Sequence, residues 1–178
     1  MIPEKGALTF TAPQKELVFK ALDDAEERTA EYYCIPPFRW EQLHYDLLTR
    51  ADHGWEPIPD SMLARVRLLE QTGGRNPFNF YRIELNDHTI RSAAERENLL
   101  RSSELYPFLV YILTHEMVHM VRLSTIIDDL RNNTVVYDEE ENRVQDVAHR
   151  ILSDFSNLLP VLKKFCTPDP SQPNPDLQ

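Results

Sequence analysis

The sequence predicts an α+β fold: a small twisted sheet packed on several helices. Three stretches carry that expectation. Residues 80–85 (FYRIEL) alternate so that Tyr81, Ile83 and Leu85 point one way and Arg82 and Glu84 the other, as in a half-buried strand. Residues 107–114 (PFLVYILT) are apolar enough to read as a buried helix. From about Asp138, Val144, Val147, Ala148, Ile151, Leu152, Phe155 and Leu158 recur at helical spacing and mark a second amphipathic helix.

The remaining elements follow in chain order. Thr11 and Gln14 form a capping-box pattern ahead of Leu17, Val18, Ala21, Leu22 and Ala25. This predicts a helix to about Tyr33 with an acidic outer face (Asp23, Asp24, Glu26, Glu27), stopped by Pro36 and Pro37. Residues 38–49 are ambiguous, since Leu43, Tyr45 and Leu47 alternate within a stretch that also suits a helix. Residues 54–59 read as a loop, and 61–70 (SMLARVRLLE) as a short helix ended by Gly73 and Gly74. Asn86 and Asp87 read as a turn. Ser102, Ser103 and Pro107 mark the start of the central helix, which runs to about Ser124. Asn132 and Asn133 break it, and residues 134–137 read as a short extended piece. Pro160 kinks or ends the last helix. Residues 1–166 are expected to form one domain, and the proline-rich 167–178 a disordered tail.

Composition excludes several classes. The formal charge is −10, which disfavours a nucleic-acid backbone as direct partner, because phosphate binding needs clustered Lys and Arg. The first residues lack a basic and then apolar leader, and the longest apolar run is too short for a bilayer. Cys34 and Cys166 stand far apart without a C-x-x-C motif and read as free thiols filling the core. A cytoplasmic protein with no membrane partner is expected.

The chemistry centres on His115-Glu116-Met117-Val118-His119, an H-E-x-x-H motif at the end of the apolar segment. Residues four apart on a helix share one face, so both imidazoles can meet one metal ion. Glu116 is displaced around the helix, where it can reach a water as general base without ligating. A catalytic zinc site wants a third protein ligand and one open position. Glu141 suits it, lying on the buried side defined by Val144, Ala148 and Ile151. Glu140, four residues before Val144, competes with it. Acidic residues in a first helical turn are also favoured by the helix dipole, and Asp138 with Glu141 has capping-box spacing.

On HEMVH, Glu141 and Ala148 the chain resembles the gluzincin branch of the zincin metallopeptidases, in particular small soluble members such as the ImmA/IrrE repressor-cleaving group and the M48-like peptidases. The resemblance spans roughly residues 80–155. It implies a zincin-like fold in which His115, His119 and Glu141 bind Zn²⁺ and Glu116 is the base. Gln145 stands where the family usually carries Asp or Asn. Methionine, valine and arginine follow His119, so the longer metzincin motif is absent. A further donor should stabilise the oxyanion. His149, two turns beyond Glu141, is the first candidate, with Tyr137, Arg143 and His88 behind it; His44 and His53 read as surface residues. In zincins an edge strand pairs with extended substrate, a role open to residues 80–85 unless they form an ordinary core strand.

Three functions are therefore in competition. The leading one is a zinc-dependent peptidase acting on a peptide or protein substrate. The second is a binding or regulatory module on the same fold, with zinc structural or absent. The third is a helical interaction protein in which H-E-x-x-H arose by chance.

Overall fold

The computed structural model describes residues 9–71, 79–129 and 137–153. In chain order these form α1 (Ala12–Tyr32), α2 (Pro37–Trp40), β1 (His44–Leu48), β2 (Ala64–Gln71), β3 (Asn79–Leu85), α3 (Asp87–Arg96), α4 (Ser102–Asp129) and α5 (Tyr137–Leu152). The architecture is mixed α+β, with a three-stranded sheet in the order β1-β3-β2. β1 runs parallel to β3 and β2 antiparallel to it. Among the described residues, no helix is long and apolar enough to cross a membrane.

α4 is the axis of the molecule. Leu105, Phe108, Leu109, Val110, Leu113, Met117, Val118 and Met120 are all buried and lie on every side of it. A helix apolar all round must be covered all round. α1 covers one side with Val18, Ala21 and Ala25, the sheet covers another with Tyr81, Ile83 and Leu85, and α5 closes a third with Val144, Leu152 and Ile151. Pro107 lies in the second turn of α4 rather than the first, because the helix already begins at Ser102. Its missing N–H removes one intrahelical bond near the start, where the loss is tolerable.

α1 begins as expected, with the Thr11 N–H donating to Gln14 Oε1 at 3.0 Å. It ends before the prolines. Cys34 takes a left-handed conformation (φ 52°), and the Ile35 N–H reaches back to the Ala30 carbonyl at 2.8 Å. That is a Schellman stop. It leaves Cys34 exposed rather than in the core; Cys166 lies outside the described residues. The acidic face of α1 is only half solvated. Asp24 accepts a hydrogen bond from the Tyr106 hydroxyl, and Glu26 accepts from the Tyr45 hydroxyl and from Trp40 Nε1.

The sheet corrects two readings. Residues 61–70 do not form a helix: β2 occupies most of that stretch, and its Ala64 and Val66 pair with Leu85 and Ile83 of β3. Arg65 and Arg67 alternate with them on the opposite face and meet Glu84, which is fully buried. Arg65 Nε lies 2.7 Å and Arg67 Nη2 3.0 Å from that carboxylate. Cross-strand pairing and this ion network override helix propensity. Residues 80–85 are the central strand, flanked on both sides, so they cannot be an edge strand for substrate. The ambiguous 38–49 resolves into α2 followed by β1.

Asn86 and Asp87 start α3 instead of forming an isolated turn. Asn86 is its N-cap, accepting from the Thr89 N–H at 3.4 Å. The buried Asp87 carboxylate accepts from the Phe10 N–H at 3.0 Å and the Arg50 N–H at 2.9 Å. Both chain ends of the α1–β1 unit are thereby fixed to the head of α3. α4 extends to Asp129 and α5 starts at Tyr137, so that residue is helical rather than extended. The expectations for Gly73, Gly74, Asn132, Asn133, Pro160 and the tail fall outside the described residues.

Glu84→Ala should destabilise the protein by about 3 kcal/mol, since it leaves two largely sheltered guanidinium groups without their buried anion and with only the exposed Glu56 beside them. Chemical denaturation measures this. A loss near zero would show that the network does not hold β2 to β3.

Candidate metal centre

Tyr111, His115 and His119 succeed one another at four-residue spacing along one strip of α4. Most of the helix is sealed, but on this strip the His115 and His119 side chains keep 15% and 22% of their surface open. Glu141 reaches them from the first turns of α5. Its Oε1 lies 3.0 Å from His115 Nε2 and its Oε2 3.0 Å from His119 Nε2. The two Nε2 atoms are 3.2 Å apart. The chemistry of this donor set suits zinc, which takes imidazole nitrogen and carboxylate oxygen. Tetrahedral bonds of about 2.0–2.1 Å place neighbouring donors roughly 3.3 Å apart; here one donor atom from each of the three residues lies within 4.8 Å of the other two.

Glu140, the competing ligand, turns away. Both its oxygens engage Arg122, with Nη2 to Oε2 at 2.8 Å. Glu141 is thus the carboxylate that joins the histidines, and its side chain is spent on them rather than on a capping box.

Glu116 lies next to this triangle along the chain but belongs to the buried side of α4. Burial pushes its carboxyl above the usual carboxylate range, against the opposing pull of His115 and His119 and of a hydrogen bond from the Val66 N–H. That last contact comes from β2. The Asn86 N–H donates to the Leu63 carbonyl at 2.8 Å, so in this register residues 63, 65 and 67 bond to β3. The backbone groups of Ala64 and Val66 therefore face away from the sheet, along the free edge of β2. This edge strand was not anticipated from the sequence; the alternation of Arg65 and Arg67 was the available signal.

A cleft of about 780 Å³ opens over the triangle, within the usual range for a ligand site. One wall is formed by residues 61–63 and the start of β2, Ala64 to Val66, and the other by α4 and α5. Tyr111, Ile112, Leu63, Val66 and Leu123 give it an apolar lining. Ser61, Tyr111 and Gln145 are polar residues of its lining beside the ligands.

No family model, curated protein or solved structure matches this chain.

The other residues singled out in the sequence stand elsewhere. His149 is half-buried on α5 with a buried Nε2, and it does not line the cleft. His88 lies in the first turn of α3 and Arg143 on the exposed side of α5; neither lines the cleft. Tyr137 opens α5, and its side chain is outside the described set. His44 and His53 are exposed, as expected.

The titrations in this cluster have opposite signs. The two histidines hold the Glu141 carboxyl well below its usual range. Burial alone would lower the His115 imidazolium, but the hydrogen bond to Glu141 and the charges of Glu116 and Glu141 outweigh it and raise the pKa. In metal-free protein, the Glu141 contribution is present above the ordinary carboxylate pKa and disappears as pH falls through the depressed one. The His115 contribution is present below the ordinary imidazole pKa and fades as pH rises through the raised one. The two overlap between about pH 4.5 and 6.5. In chelator, the melting-temperature difference between wild type and Glu141→Ala should therefore peak in that window and shrink as pH rises through the raised imidazole pKa. A difference independent of pH would show that the three side chains do not interact as an ion pair.

Proposed function

We propose that this protein is a zinc-dependent metallopeptidase of gluzincin type, acting on peptide or protein substrate laid along β2. One observation carries the reading: donor atoms of His115, His119 and Glu141 converge to within 4.8 Å of one another, with a buried carboxylate on the helix that carries the histidines, at the floor of one cleft. The order of elements supports a zincin-like architecture, since the helix bearing H-E-x-x-H is followed by a second helix bearing the third ligand.

Zinc held by His115, His119 and Glu141 supplies Lewis acidity towards a carbonyl and lowers the pKa of a water. Glu116 removes the proton from the attacking water and returns it to the leaving amine. Its raised pKa suits that double duty, because a more strongly acidic carboxyl would release the proton before it could be handed on. The outer edge of β2, which pairs with no other described strand, offers the backbone of Ala64 and the Val66 carbonyl to an extended chain, which gives alignment without sequence preference. Because the Val66 N–H also meets Glu116, a chain aligned there passes beside the base. Side-chain preference then rests with the apolar lining, Tyr111, Ile112 and Leu123 among it. Donors lining the cleft, with Tyr111 one turn before His115, are positioned to meet charge that develops on the carbonyl oxygen.

Protein purified without an affinity tag should carry about one zinc per chain, and His119→Ala should lose it. Glu116→Gln should keep the zinc and lower cleavage of a peptide library by about 10²- to 10⁴-fold. Zinc without cleavage in the wild type would favour the binding or regulatory module. Absence of zinc after metal is added back would end the metallopeptidase reading.

A further inference from the structure

Arg122 follows His119 by three residues on α4, and Glu140 immediately precedes Glu141 on α5. Their contact joins the two helices beside the metal ligands. Arg122 Nε donates to Glu140 Oε1, and Nη2 donates to Oε2 at 2.8 Å, so the guanidinium and carboxylate meet through two parallel bonds. This fork-to-fork arrangement fixes orientation as well as distance. The pair is sheltered, with side chains 23% and 14% exposed, whereas Glu141 is 58% exposed. The buried hydroxyl of Tyr33, at the end of α1, lies beside the same guanidinium. Three helices thus converge on one cation.

Among the residues of α5 whose burial is described, the first buried apolar side chain is Val144, just over a full turn beyond Glu140. Neighbouring residues on a helix are about 100° apart, so fixing Glu140 towards Arg122 also fixes the direction in which Glu141 leaves the helix. A long, largely exposed carboxylate would otherwise lose considerable rotamer freedom on reaching two histidines.

We infer that the Arg122–Glu140 pair is a positioning clamp, which docks the first turns of α5 on α4 so that Glu141 is presented to His115 and His119 as the third metal ligand. This rests on the metal-centre reading above. Arg122 and Glu140 act through Glu141 and are not themselves metal ligands, though Glu140 also lines the cleft.

The test is a double-mutant cycle on zinc affinity, read by competition with a chromophoric chelator on the full chain, with melting of the metal-free proteins recorded alongside. Arg122→Gln and Glu140→Gln should each weaken zinc binding by about 10- to 100-fold, the range for residues that orient ligands. The double variant should bind no more weakly than either single one, because the second change removes nothing that remains. Arg122→Lys keeps the charge without the fork and should fall between wild type and Arg122→Gln. Wild-type affinity in Arg122→Gln would overturn the clamp, as would losses that multiply in the double variant. Should Arg122→Gln fail to fold, a folded Arg122→Lys with wild-type affinity would overturn it equally. A metal-free melting temperature that drops while affinity is unchanged would mark the pair as merely structural. Wild-type protein that takes up no zinc would overturn the metal centre itself, which is visible before any variant is compared.

Discussion

The structure depends on the burial of one helix. α4 carries so much apolar surface that it is stable only when α1, α5 and the sheet all press on it. A residue left open on such a helix stands at a seam between its covers. His115 and His119 stand at the seam between β2 and α5, where a carboxylate can arrive from one side and a backbone edge from the other. The site is thus a consequence of how the axis is wrapped. Glu116, displaced to the sealed side of the same helix, acquires its raised pKa from that wrapping.

The contributions of the two neighbours differ in kind. α5 brings charge: Glu141 for the histidines and Glu140 for Arg122. β2 brings backbone, because its pairing with β3 consumes one set of amides and leaves the alternate set facing the cleft. The ion network under the sheet, with Glu84 between Arg65 and Arg67, holds that edge in register from behind. Reactive groups on α4 are therefore flanked by a charged wall and a hydrogen-bonding wall, each anchored away from the cleft.

Elements with a single strong period were readable from the sequence, and elements decided by partners were not. Tyr81, Ile83 and Leu85 gave β3, and the apolar run with its two histidines gave α4. Residues 61–70 misled because Leu63, Val66 and Leu69 also fit a helical face; only the distant Glu84 makes Arg65 and Arg67 a strand signal. Asn86 suits a turn and an N-cap equally, so α3 was missed. Two of the acids on α1 looked solvated because the phenols that bind them, Tyr45 and Tyr106, are remote in sequence. At the site, His115, Glu116 and His119 were evident from spacing alone. The distinction between Glu140 and Glu141 is one residue on a helix, and Arg122 on another helix supplies it.

The Asp87 carboxylate has a consequence for the chain as a whole. Its two oxygens bind amides 77 and 37 residues away, at Phe10 and Arg50. Such contacts close large loops, so they form late in folding and are released together on unfolding. No cut between those points yields two self-sufficient pieces, since either would forfeit a partner of a buried anion. The stretch from Phe10 to Arg50 is by this bond an integral part of the cooperative unit that houses the site.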